Sequence, residues 1–109
     1  MVIIEPKSGG HRMETTNSRF NLGHICLTIG VNDLVAENPP FAKFVTDCLY
    51  KHAMSDWGNL EKEDVLANER ALVEGSRLFS AYEGDDLPKI WVITEADRST
   101  TTILFPDEY

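Results

Sequence analysis

The chain lacks most of the features by which a sequence announces its chemistry. It has two cysteines, Cys26 and Cys48, each inside an apolar run and neither in a C-x-x-C pair. Buried cysteine behaves as a small hydrophobe, and two thiols without a disulfide framework point to a reduced, cytosolic setting. No apolar run approaches the roughly 18 residues that a membrane-crossing helix needs. Glu5 interrupts Val2, Ile3 and Ile4, which leaves too short a core for a secretory signal. There is no Gly-rich phosphate loop and no G-x-S-x-G. Positive charge is scarce as well: 10 Lys and Arg stand against 18 Asp and Glu, a formal net charge of -8. Such a balance disfavours free nucleic acid and anionic membrane surfaces as partners and favours basic protein surfaces. The same surplus also serves solubility.

What is present suits one domain. With 109 residues, 42% hydrophobic and 26% charged, the chain can bury one modest core without disulfides or metal. Residues 1–19, with Pro6, Gly9, Gly10 and a run of Thr, Asn and Ser, show no periodicity and read as a flexible N-terminal arm. Residues 20–31 read as a strand, because Ile25, Leu27 and Ile29 alternate with His24, Cys26 and Thr28. Residues 34–37 are too short to assign beyond a single turn.

The middle of the chain changes period. Asn38 is a good N-cap, and Pro39 and Pro40 suit a first helical turn. Phe41, Phe44, Val45, Cys48, Leu49 and His52 then form a helical stripe that predicts a helix over 40–54. Asp56, Trp57 and Gly58 break it, and Asn59 is placed to cap a second helix over 60–74. Glu61, Glu63 and Asp64 fill its first turn, where exposed backbone N–H groups favour negative charge. Val65, Leu66, Leu72 and Val73 form its apolar stripe, interrupted by Glu69, and Gly75 ends it. So short a link predicts that the two helices pack as neighbours.

Period two returns in the last third. Strands are predicted over 76–82, 89–95 and 99–105, joined by the turns 83–86 and 96–98 into an antiparallel meander. The order is β-α-α-β-β-β. The fold class is α+β, with two helices packed on an antiparallel sheet over 20–109.

No residue pattern carries chemistry by itself. His52 and Asp56 share a helical face, but one His with scattered carboxylates lacks the ligand set of a metal site. Cys48 and His52 are also four apart, yet both lie on the buried stripe. Glu69, within an apolar stripe, calls for a partner, with Arg70, Arg77, Arg98 or His52 available. The turn Glu95 to Ser99 reads equally as a recognition tip or as a turn in which Asp97 bonds its own backbone. No catalytic residue, cofactor or metal is assigned.

Four segments carry a resemblance. They are H-x-x-x-D-W-G at His52 to Gly58; E-D then N-E-x-A-L at Glu63, Asp64 and Asn68 to Leu72; G-S-R-L-x-S-x-Y at Gly75 to Tyr82; and K-I-W-V-I-T-E-A-D-R-S-x-T-T-I-L-F-P-D-E-Y at Lys89 to Tyr109. Together they resemble a family of small bacterial proteins of plasmids and integrative elements, often labelled "plasmid-related protein". The resemblance spans about 20–109. The type I restriction label sometimes attached to such proteins finds no counterpart, since the chain is too short for that domain and has no cofactor loop.

The resemblance implies antagonism of host defence, as in anti-CRISPR and anti-restriction proteins. The expectation is a cytoplasmic, non-enzymatic inhibitor that binds a basic nucleic-acid-binding protein or complex of host defence. It would touch no nucleic acid or membrane directly. Glu61, Glu63, Asp64, Asp85, Asp86, Asp97, Asp107 and Glu108 are the candidate partner-binding residues. An edge strand offers a route to a homodimer. The alternative is a small enzyme or ligand-binding domain, with His52, Asp56, Asp64 and Glu69 around a pocket between helices and sheet.

Overall fold

A computed structural model describes residues 2–4 and 18–109. The elements are β1 (Val2–Ile4), β2 (His24–Leu27), α1 (Ile29–Glu37), α2 (Pro39–Ala53), α3 (Lys62–Glu74), β3 (Leu78–Gly84), β4 (Leu87–Thr94), β5 (Thr100–Leu104) and a short 3₁₀ turn, Pro106–Glu108. The fold is α+β. Five strands lie in the order β1-β2-β5-β4-β3.

The C-terminal meander forms as its short turns dictate, with β3–β4 and β4–β5 both antiparallel. The first strand of the predicted scheme is β2, which inserts beside β5 and runs parallel to it. The sheet is therefore mixed rather than purely antiparallel. The helical layer intervenes between β2 and β3 and carries the chain across, as a parallel pair requires.

Of the expected arm over 1–19, the described residues are 2–4, 18 and 19. Val2–Ile4 pair antiparallel with β2, satisfying an edge that would otherwise present unpaired backbone groups. The Arg19 amide donates to the Ala53 carbonyl at 2.9 Å. The rest of the expected arm lies outside the described residues.

The predicted strand over 20–31 is shortened at both ends: residues 20–23 are irregular, and α1 takes 29–31. The start of α1 is held from 80 positions away. Glu108 reaches back to the start of α1, where its carboxylate accepts from the Thr28 hydroxyl at 2.5 Å and from the Gly30 amide at 3.1 Å. A carboxylate at that point satisfies orphan N–H groups and complements the helix dipole. Burial opposes ionisation of Glu108, but the hydrogen bonds from Thr28, Phe105 and Gly30 outweigh it and lower the carboxyl pKa.

The helix α2 forms as its stripe requires. Asn38 accepts from the Phe41 amide at 3.1 Å, and Phe41, Val45, Cys48, Leu49, His52 and Ala53 are buried. All but His52 meet Leu27, Tyr82, Ile90, Val92 and Ile103 in the main core. Each fully buried Val, Leu or Phe contributes about 1.5–3 kcal/mol.

In α3 the stripe is rotated from the expected one. Asn68 and Ala71 are buried with Val65 and Leu72 beside them, while Leu66 is 53% and Val73 87% exposed. The helix packs on β3 around Trp57 and Leu78 rather than against α2. The Trp57 ring stands between the two, 5.6 Å edge-on from the His52 ring and bonded to Glu69 of α3. Asn59 does not cap α3, whose N-cap is Glu61. Its side chain accepts from the Glu83 amide at 3.0 Å, and its own amide donates to the Ala81 carbonyl at 2.6 Å.

These contacts close the β3 edge. The Trp57 carbonyl accepts from the Ala81 amide, and Asn68 clamps the Phe79 backbone, donating to its carbonyl at 2.6 Å and accepting from its amide at 3.1 Å. Gly58 makes the close approach feasible. It has φ +75°, and an added Cβ would lie 2.0 Å from the Ala81 carbonyl oxygen.

Replacing Asn68 by Ala leaves both Phe79 groups unpaired. A loss of about 2–3 kcal/mol in urea unfolding is expected. Glu69→Ala, which removes one bond on the exposed side of the same helix, costs about 1 kcal/mol.

Candidate interaction surface

Helix α2 and the three meander strands bring together the residue types that most often do chemistry, and seal them. His52 has no exposed surface. Its Nδ1 lies 2.5 Å from the Ser80 hydroxyl and its Nε2 2.9 Å from the Thr94 hydroxyl. Thr94 continues to the Thr101 hydroxyl at 2.7 Å, and Thr101 donates to the Leu22 carbonyl at 2.7 Å.

Counting protons along this chain fixes its direction. A carbonyl only accepts, so the single hydroxyl proton of Thr101 goes to Leu22. Thr94 must then donate to Thr101 and accept from His52 Nε2–H, which leaves Nδ1 to accept from Ser80. The imidazole is neutral. Burial, with a smaller effect from Arg98, lowers its pKa to about 3.

The other reactive groups are held in the same way. Burial pushes the Cys48 thiol up to about 12, and it also raises the Cys26 thiol. Both cysteines are free and buried. Burial raises the Tyr82 phenol, which donates to the Asp56 carbonyl at 2.6 Å.

The residues proposed for a carboxylate and His pocket are not gathered. His52 is inside, while Asp56, Asp64 and Glu69 are exposed. Asp56 accepts from the Gly58 amide at 3.2 Å. Glu69 accepts from the Trp57 indole N–H at 2.8 Å rather than from an arginine or His52. Among the described residues no group of three His, Cys, Asp or Glu is placed to hold a metal ion.

The eight candidate partner-binding acids are all exposed. Among the described residues the ion pairs are Lys43–Asp47 and Arg77–Glu95, and neither uses any of the eight. They do not form one patch. Asp85 and Asp86 occupy the β3–β4 turn. Asp107 sits beside it, because the β4–β5 register pairs Trp91 with Leu104 and so brings Lys89 level with Pro106. Glu61, Glu63 and Asp64 mark the start of α3, which follows the Asn59–Glu83 contact near that end.

Glu108 is committed to the α1 cap. Asp97 lies at the opposite end of the sheet, in a turn of its own. Hydrogen bonds from the Ser99 side chain and amide lower the Asp97 pKa, and Arg98 folds back to the Ala71 and Ser76 carbonyls at 3.2 and 2.6 Å. The segment 95–99 therefore ties the β4–β5 turn to the end of α3.

At the acidic end runs an open groove of about 640 Å³. Its apolar lining includes Leu34, Pro88, Phe105 and Pro106; its charged residues are Asp33, Glu37, Asp107 and Lys89. Gly30, Asp33, Leu34 and Glu37 fall at the i, i+3, i+4, i+7 spacing of one face of α1. The sequence signal for this face was the acid pair Asp33 and Glu37 at i, i+4. It was hidden because 20–31 reads as a strand, which leaves 34–37 too short to assign as a helix. A smaller cavity of about 230 Å³ lies on the other face of the sheet, lined by Arg77, Phe79, Trp91, Ile93 and Tyr109.

Two measurements test this description. Because the folded His52 pKa of about 3 lies below the ordinary 6.5, the unfolded chain takes up this proton first. The contribution from His52 is intact above about pH 6.5 and is lost as pH falls toward 3. Between pH 7.5 and 5 the wild type should lose about 2 kcal/mol more than His52→Gln in chemical unfolding. With a thiol reagent such as DTNB, the native protein should remain unlabelled at neutral pH, and both cysteines should react in denaturant.

No protein-family model, curated protein or solved structure matches the chain.

Proposed function

We propose that the protein is a non-enzymatic, cytoplasmic inhibitor encoded by a mobile element. It binds a basic nucleic-acid-binding complex of host defence, of CRISPR or restriction type, and occupies the surface that would hold nucleic acid. The observation that carries this reading is the outward display of acids without ion-pair partners among the described residues, while His52, Cys48 and Tyr82 are closed off in the core. Reactive side chains without access to substrate do not support catalysis. Unpaired surface carboxylates suit electrostatic steering toward a cationic groove. Asp85, Asp86 and Asp107, which share one end of the sheet, are the core of the binding face in this reading, with Glu61, Glu63 and Asp64 beside them. No described helix is long and apolar enough to cross a membrane.

The test is plasmid interference, with the chain expressed beside individual CRISPR and restriction systems, followed by binding to the purified complex. Relief of at least one system is expected. Its affinity should fall roughly tenfold or more from about 0.05 to about 0.3 M salt, and Asp85→Lys/Asp86→Lys should abolish the relief. Absence of relief in every system, together with no binding to any of the purified complexes, refutes the proposal.

A further inference from the structure

The acidic end is more than a charged surface, because it contains a shallow, open apolar depression. Phe105 and Pro106 form one wall, Pro88 stands at the start of β4, and Leu34 comes from α1. The Phe105 wall is fixed from behind. Its ring packs at 5.8 Å from Phe41 of the core, and its amide donates to Glu108 at 3.0 Å, the same carboxylate that caps α1. The wall and the helix are thus joined by one side chain, so the trough needs little ordering before it accepts a partner.

Its charge is lopsided. Asp33, Glu37 and Asp107 line it against Lys89 alone, and Asp85 and Asp86 stand in the adjoining turn. Its openness argues against a small molecule, since sites for such ligands enclose most of the ligand surface. A shallow surface that combines apolar side chains with an excess of carboxylates suits a length of polypeptide instead.

We infer that this groove takes a basic segment of a partner protein, laying one aromatic side chain on Leu34 and Phe105 while flanking Lys or Arg residues meet Asp33, Glu37 and Asp107. The inference rests on the acidic-inhibitor reading and adds to it the chemistry of the recognised segment. A purely electrostatic contact would be indifferent to the anchor. A groove contact is decided by it, because desolvated aromatic anchors carry most of the affinity in such interfaces.

The test uses the full chain and two fluorescein-labelled peptides of Lys and Arg, identical except for a central Trp or Ala, read by fluorescence anisotropy at low salt. Amide shift mapping on isotope-labelled protein locates the contact without any variant. The Trp peptide should bind about tenfold more tightly than the Ala peptide. Its shifts should centre on Gly30, Leu34 and Phe105, and the exposed-site variant Asp33→Lys/Glu37→Lys should weaken it by about tenfold or more. Equal, salt-sensitive binding of both peptides, or shifts centred elsewhere, overturns the groove while leaving the acidic reading intact. Failure of both peptides to bind overturns the groove, while the inhibitor reading is decided separately by the interference assay. Binding of tryptophan amide as tight as that of the Trp peptide overturns the segment in favour of a small ligand.

Discussion

The imidazole of His52 holds the helical layer to the sheet. Its two nitrogens reach Ser80 on β3 and Thr94 on β4, and the chain continues through Thr101 on β5 to the Leu22 carbonyl. Every polar atom in the run has a partner, which is the condition under which a buried network stabilises a fold. It also fixes register. A one-residue slip of β4 would turn Thr94 to the other face and leave a buried imidazole nitrogen unpaired. Phe20 and Trp57 pack edge-on against the same ring at 5.3 and 5.6 Å, so the network is shut off from water.

Two more long-range contacts complete the frame, and both use charged residues at helix ends. Glu108 caps the start of α1 from the far end of the chain, and Arg98 reaches carbonyls at the end of α3 from the β4–β5 turn. Opposite charges at opposite helix ends suit the helix dipole. They also divide the charged residues by role. Glu108, Asp97 and Arg98 bond the protein's own backbone. Asp33, Glu37, Asp85, Asp86 and Asp107 face solvent at the end of the sheet that carries the groove.

This division bears on function. His52, Cys48 and Tyr82 are spent on packing, which supports the proposed inhibitor reading. Negative charge is displayed outside around an apolar depression, and the proposed recognition role rests on that combination. Closure of the β3 edge by Asn68 and by the loop before α3 removes that strand from edge-to-edge pairing with a second copy.

The sequence by itself determined the α+β class, helix α2 with its Asn38 cap, the Gly75 stop of α3, and the meander. Each is set by contacts within a few residues: a stripe, a cap, a turn. Only the tertiary structure showed that residues 29–37 are helical, and the carboxylate at the start of that helix, Glu108, comes from 78 positions beyond Gly30. The same holds for the polar residue that α3 buries. Asn68 and Glu69 are neighbours in sequence, and the rotation of the helix against β3 chose the one that could satisfy both Phe79 backbone groups. The groove was equally illegible, because its walls come from α1, β4 and the turn after β5. Local pattern records which faces are apolar, but it holds no information about which distant segment will arrive to cover, cap or flank them.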